Sequence, residues 1–125
     1  IEAEINDYKR LCEAQIRIPK MLDVDIKQER ILKEYIDGET IVHYVKNDLM
    51  NEDFYEQIEE MVNLLKVKNL NIDYYPTNFI VQNGLIYYID YECNTYCEEW
   101  NYLNWGSKYW RKTIEFCRDF DKKEA

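Results

Sequence analysis

Histidine occurs once, proline twice and glycine three times in this chain, while apolar residues make up 46% of it. So little Gly and Pro in an apolar, aromatic background excludes a disordered or low-complexity protein. No apolar run approaches the roughly 20 residues that cross a bilayer as a helix, and no signal-peptide pattern opens the chain. No membrane contact is expected, and the expected location is the cytoplasm. Basic residues are also in short supply, 16 against 25 acidic ones, for a formal net charge of −9. That balance argues against a nucleic-acid or anionic-membrane surface and suits metal cations or cationic partners. Cys12, Cys93, Cys97 and Cys117 are scattered through apolar, helix-like surroundings and read as reduced thiols, and the Cys93/Cys97 spacing does not suit a zinc knuckle. With 125 residues and no linker or repeat, the chain has room for one domain and one modest core. It opens on Ile1, directly in a helical pattern, so a preceding segment is expected.

What is present reads as alternating helices and short strands. Ile1, Ile5, Tyr8, Leu11 and Cys12 recur at helical spacing, and this first helix should stop before Ile18-Pro19. In "RILKEYIDGETI" a run of β-formers reaches the breaker Asp37-Gly38, after which "ETIVHYVKN" starts a short helix with His43 at its surface. Residues 51 to 68 carry Phe54, Ile58, Met61, Val62 and Leu65 on one stripe, with Glu52 and Asp53 at the positive end and Lys66 and Lys68 at the negative end. Residues 78 to 81 and 85 to 90 are strand-like and meet across Asn83-Gly84, a strong hairpin signal. Beyond them Ser107 is expected to cap a last helix that turns Trp110, Ile114 and Cys117 inward, with Lys122 and Lys123 near its end. Trp100, Trp105 and Trp110 fit neither a helical nor a strand period, so they are expected as core anchors at a loop-to-helix corner.

Candidate chemistry lies in "NIDYYPTNFIVQNGLIYYIDYE", residues 71 to 92. Asp73 follows the long helix, and the hairpin brings its two ends, Asn78 and Asp90, together. An amide oxygen and a carboxylate suit a hard cation such as Mg²⁺, which keeps few protein ligands and fills the rest with phosphate and water. Asp73 is close enough to orient a hydroxyl beside that metal, the minimum apparatus for phosphoryl transfer. Taken alone, an Asp-x4-Asn spacing is ordinary turn chemistry. The same pair in order with a long helix, Pro76, an Asn-Gly hairpin and "IDYE" is a more specific pattern.

Asp73-x4-Asn78 followed by "IDYE" resembles the catalytic loop and metal-binding motif of the protein kinase-like superfamily. The stretch is similar to the D-x-x-P-x-N loop, hairpin and I-D-[FW]-E of aminoglycoside and choline phosphotransferases. It is also similar to the small atypical kinases of the RIO type and those related to the kinase of the KEOPS tRNA-modification complex. The resemblance implies an α+β, kinase-like fold, chiefly the helical C-terminal lobe over residues 37 to 125, with residues 1 to 36 a remnant of the N-terminal lobe. It implies ATP and Mg²⁺ as cofactors, Asp73 as the catalytic carboxylate, and Asn78 and Asp90 as metal ligands. Adenine would lie against the backbone of Glu34, Tyr35 and Ile36. Glu4 falls where the family's lysine-pairing glutamate stands, although a plain surface carboxylate fits the same position.

Several family features differ. Asn71 stands where the family has His or Tyr, no Arg precedes Asp73, and no long activation segment follows Asp90. Neither a glycine-rich loop nor a lysine-bearing strand precedes Glu4. The expectation is an ATP-dependent phosphotransferase acting on a protein or small-molecule hydroxyl, with little or no activity as this chain alone. The rival reading is a non-catalytic, kinase-fold interaction module. Either way an exposed apolar flank is expected on the first helix and the strand over residues 29 to 35, covered by a missing lobe segment or by self-association.

Overall fold

The computed structural model describes residues 1–121, so the expectation for Lys122 and Lys123 lies outside the described residues. Helix α1 (Glu2–Glu13) is followed by the antiparallel hairpin of β1 (Met21–Asp25) and β2 (Arg30–Lys33). A short strand β3 (Glu39–Thr40) leads into α2 (Ile41–Lys46), and the long α3 (Glu52–Val67) follows. Strand β4 (Leu70–Asn71) precedes a single 3₁₀ turn at Pro76–Asn78, and then β5 (Phe79–Gln82) and β6 (Leu85–Tyr88) form the second hairpin. Strand β7 (Asn94–Thr95) returns to pair with β4, and α4 (Ile114–Phe120) closes the described chain. This is a mixed α+β architecture with three small antiparallel sheets among the described residues, ordered β1-β2, β3-β5-β6 and β4-β7. Among those residues no helix is long and apolar enough to cross a membrane.

Helix α3 is built as its pattern dictates. The Asn51 side chain accepts from the Phe54 N–H at 2.9 Å, and Phe54, Ile58, Met61 and Leu65 are buried. Asn69 at φ +57° ends the helical path. Against α3 lies the β5–β6 hairpin, turned by Asn83 (φ +53°) and Gly84 (φ +78°), with Phe79, Val81, Ile86 and Tyr88 in the core. Both of its edges are occupied. Strand β3 pairs with β5, and Gly38 passes so close that a Cβ there would stand 1.9 Å from the Val81 carbonyl oxygen. The β6 edge is satisfied by side chains and loop backbone. Gln57 Nε2 donates to Gly84 O and its Oε1 accepts from Ile86 N, each at 2.8 Å, while Arg17 Nε donates to Ile86 O at 3.0 Å.

Elsewhere local pattern and tertiary packing diverge. In α1, Leu11 points into the core, so the next residue, Cys12, is rotated outward and is exposed, while Ile1, Ile5 and Tyr8 are only half-buried. Strand β1 is absent from the sequence expectation, because "MLDVD" breaks strict apolar–polar alternation at Met21-Leu22, and the strand before Asp37 ends at Lys33. The apolar flank is present on the β1–β2 hairpin, where Leu22 is 58% and Leu32 60% exposed, but the outer face of α1 is polar. The expected last helix from Ser107 is broken into pieces. A π-helical turn spans Tyr102–Gly106, a 3₁₀ turn spans Ser107–Trp110, and α4 starts only after Thr113, whose side chain accepts from Phe116 N at 3.1 Å. Ser107 instead donates its hydroxyl to Leu103 O. With the start shifted, Phe116 takes the inward position, Ile114 is 84% exposed and Cys117 is half-buried. Of the three tryptophans only Trp110 is a core anchor; Trp105 is half-buried and Trp100 is 51% exposed.

Candidate functional site

The chain leaves α3 and β4 into a loop whose first chemical group is Asp73. Its carboxylate accepts from the Tyr75 N–H at 3.0 Å, an Asx turn that leaves the side chain exposed. Asn78 Nδ2 donates to Asp73 O at 3.3 Å, so the two candidate residues are tied through the loop itself. With its amide nitrogen engaged, Asn78 presents Oδ1 as an acceptor. At the other end of the hairpin, Ile89 N donates to Asn78 O at 2.9 Å, extending the β5–β6 pairing by one step, so that Asp90 is one residue beyond the cross-strand partner of Asn78. The Asp90 carboxylate is half-buried and has no ion pair among the described residues.

Tyr88 stands behind this group. Burial first, then the Asp90 carboxylate, hold its phenol well above the usual tyrosine range; a backbone hydrogen bond at Asp73 opposes the shift, and the Asp73 and Glu92 charges add to it more weakly. Its hydroxyl donates to Glu92 O at 2.8 Å, closing the turn that follows Asp90. Backbone and amide bonds thus tie Asn78 to Asp73 and to Ile89, the residue before Asp90, while Glu34, Tyr35 and Ile36 lie on the segment between β2 and β3.

On that segment Glu34 N donates to Lys20 O at 2.8 Å and its Oε1 accepts from Lys20 N at 3.2 Å. Tyr35 is exposed and Ile36 buried, so the Ile36 side chain anchors the segment while its neighbour faces solvent. Glu4 is exposed on α1 and forms no ion pair among the described residues. Its carboxylate nonetheless bears on the Tyr91 phenol, whose ionisation is suppressed first by burial and then by Tyr8, Cys12, Glu34 and Glu4. The Tyr91 hydroxyl donates to Pro19 O.

A cleft of about 390 Å³ opens beside Asp73, with Glu92, Asn94, Cys97, Trp100 and Trp105 among its walls. Its floor is braced from the C-terminal part of the chain. Asn71, the one buried polar residue of the described chain, donates to Trp100 O at 2.9 Å. Trp110 Nε1 donates to Tyr74 O at 2.8 Å, and Tyr75 donates its hydroxyl to Asp119 Oδ2 at 2.8 Å. Burial, then that bond to Asp119, push the Tyr75 phenol up to about 12. Gly106 passes against Tyr74, where a Cβ would come within 2.5 Å of the Tyr74 Cβ. The residues on either side of the Asp73 loop are therefore held by contacts from far along the chain. Sequence spacing carries no sign of Glu92, Trp100 or Trp105 as walls, because only the β4–β7 pairing folds them back over Asp73.

Among the described residues no group of three or more His, Cys, Asp or Glu side chains is arranged to hold a metal ion. Asn78 and Asp90 supply an amide and a carboxylate oxygen, a donor set that fits a hard cation with few protein ligands. Neither any protein-family model nor any curated protein matches this sequence.

Proposed function

We propose that the Asp73–Asn78–Asp90 group is the phosphoryl-transfer site of a protein kinase-like phosphotransferase, on the resemblance of its catalytic-loop and metal motifs. The observation that supports this reading is the Ile89 N to Asn78 O hydrogen bond of 2.9 Å, which leaves Asp90 one residue beyond the cross-strand partner of Asn78, while Asn78 also bonds the Asp73 carbonyl. Asn78 Oδ1 and the Asp90 carboxylate would hold Mg²⁺. When bound, the ion supplies positive charge to the phosphate oxygens of ATP. Asp73, exposed at the mouth of the cleft, orients the acceptor hydroxyl and takes its proton. As the acceptor oxygen bonds to the γ-phosphorus, the bond to the bridging oxygen breaks and ADP leaves. The acceptor, a protein or small-molecule hydroxyl, lies in the cleft walled by Glu92, Trp100 and Trp105. Adenine lies against the backbone at Glu34 to Ile36.

One observation favours a second reading, a kinase-fold interaction module without turnover: the outer side of the β1–β2 hairpin leaves Leu22 and Leu32 more than half exposed. Calorimetric titration of MgATP together with a phosphate-transfer assay separates the two. Asp90→Ala should abolish Mg²⁺-dependent nucleotide binding. Asp73→Ala should spare binding and lower any turnover by on the order of 10² or more. Unchanged nucleotide affinity in both variants, with partner binding intact, would establish the interaction module instead.

A further inference from the structure

Strand β2 contains a residue out of keeping with its position. Its side chains alternate, Arg30 and Leu32 outward and exposed, Ile31 and Lys33 inward and half-buried. Ile31 packs on the core, as an inward residue should. Lys33, two residues on and paired across the hairpin with Met21, puts a charge on that same inward face. Its Nζ stands 4.2 Å from the centroid of the Tyr91 ring, and Tyr91 directly follows Asp90. Among the described residues Lys33 has no ion pair.

A lysine on an inward strand face needs a reason, since lysine is rarely turned toward a core without an anionic partner. The aromatic face of Tyr91 gives it a partial one. Two carboxylates bear on the Tyr91 hydroxyl, Glu34 just after β2 and Glu4 on α1, and neither is in ion-pair contact with a lysine among the described residues. A flexible ammonium held beside the metal-ligand motif, aimed inward and without a carboxylate of its own, is suited to meet an anion there. Resting on the phosphotransferase reading above, we infer that Lys33 is the cation that binds the phosphates of the nucleotide, supplied from β2 and steered by the Tyr91 ring. The charge that phosphoryl transfer requires opposite the phosphates then comes from within the described chain.

The test compares MgATP with adenosine, which lacks the phosphates, by calorimetry on the chain and its variants. Lys33→Met keeps the length and the packing on Tyr91 but removes the charge. It should weaken MgATP binding by about tenfold to a hundredfold, the size of one charge-assisted hydrogen bond, and leave adenosine binding within about twofold. Lys33→Arg should restore most of the MgATP affinity. If near-UV circular dichroism shows that Met disturbs the fold, Lys33→Gln gives the same comparison. Equal MgATP affinity in Lys33→Met and the parent overturns the role of Lys33 and leaves the phosphotransferase reading standing. Equal losses for MgATP and adenosine also overturn it, since Lys33 would then only shape the pocket. Failure of the parent chain to bind MgATP at all overturns both.

Discussion

In the β5–β6 hairpin Phe79, Val81, Ile86 and Tyr88 all lie in the core, whereas no residue of the β1–β2 hairpin is buried. The first is closed by an Asn-Gly turn and keeps an unbroken register from Phe79↔Tyr88 to Gln82↔Leu85. The second shifts register between Met21 and Asp23, and it turns through Glu29 at φ +53°, a left-handed conformation held by a residue with a Cβ. Neighbours bond both edges of the core hairpin, through β3 on one side and Arg17 with Gln57 on the other. Hairpin geometry alone does not confer rigidity; burial of one face and satisfaction of both edges do. The candidate metal ligands sit at the base of the rigid hairpin, and the candidate phosphate lysine sits on the looser one. Such a division suits a site with a fixed reaction centre and a nucleotide side that adapts.

The largest expected contrast is in stability. Trp110 is fully buried, packs edge-on against Phe79 at 4.9 Å and bonds the Tyr74 carbonyl. Trp110→Ala should therefore cost roughly 3–5 kcal/mol, with further loss from the unpaired Tyr74 carbonyl. That is a large share of the roughly 5–15 kcal/mol available to a domain of this kind. Leu32→Ala on the open hairpin should stay within about 0.5 kcal/mol. Urea denaturation of both variants measures the difference. A Leu32→Ala cost near that of Trp110→Ala would mean the outer face of the β1–β2 hairpin is covered in solution, by a second copy or another segment.

Next comes the thiol that follows the core hairpin. Cys93 is buried, and Arg10 donates to its carbonyl at 3.2 Å while also pairing with Asp7. Burial first, then the nearby Asp7 carboxylate, push the Cys93 thiol up to about 11, with Arg10 opposing. A thiol whose pKa is raised on folding stabilises the fold as the neutral form. Its contribution is complete below the ordinary thiol pKa and is lost as pH rises through about 11. Alkylation followed by mass spectrometry at pH 8 should label the exposed Cys12 and Cys97 readily and Cys93 only through opening of the structure. Labelling of Cys93 as fast as Cys97 would show that the junction between α1 and the Asp90 turn is loose.

How far these differences were legible in the chain depends on how local their causes are. Helix α3 and the Asn83-Gly84 turn follow from contacts within a few residues, and both are where the sequence puts them. The bond between Asn78 and Ile89, just before Asp90, also follows, since a hairpin must bring its ends together. Strand β1 does not, because adjacent Met21 and Leu22 break the apolar–polar alternation and only pairing with β2 makes it a strand. Nor does the broken path from Tyr102 to Phe120, where Trp110 reaches back to Tyr74 and Tyr75 reaches forward to Asp119. Those contacts override the local cap signal of Ser107. Lys33 reads as a surface charge until the alternation of β2 shows which way it faces.

The smallest expected effects are at the two turns, and they sharpen the comparison most cleanly because few packing terms interfere. Gly84 has φ +78° and nothing within 4 Å of where a Cβ would stand, so Gly84→Ala meets a conformational penalty and no clash. A loss of about 1 kcal/mol is expected. Glu29 already pays that penalty at φ +53°. Glu29→Gly should relieve it, but glycine also loosens the unfolded chain, which takes back about 0.4–1 kcal/mol. The net should be a gain of at most about 0.5 kcal/mol, read as a small rise in the urea midpoint at constant slope. If Gly84→Ala proved neutral while Glu29→Gly gave a gain above about 1 kcal/mol, the strain would lie in the outer turn alone. The core hairpin would then owe its register to burial of Phe79, Val81, Ile86 and Tyr88, with the Asn-Gly turn following rather than directing it.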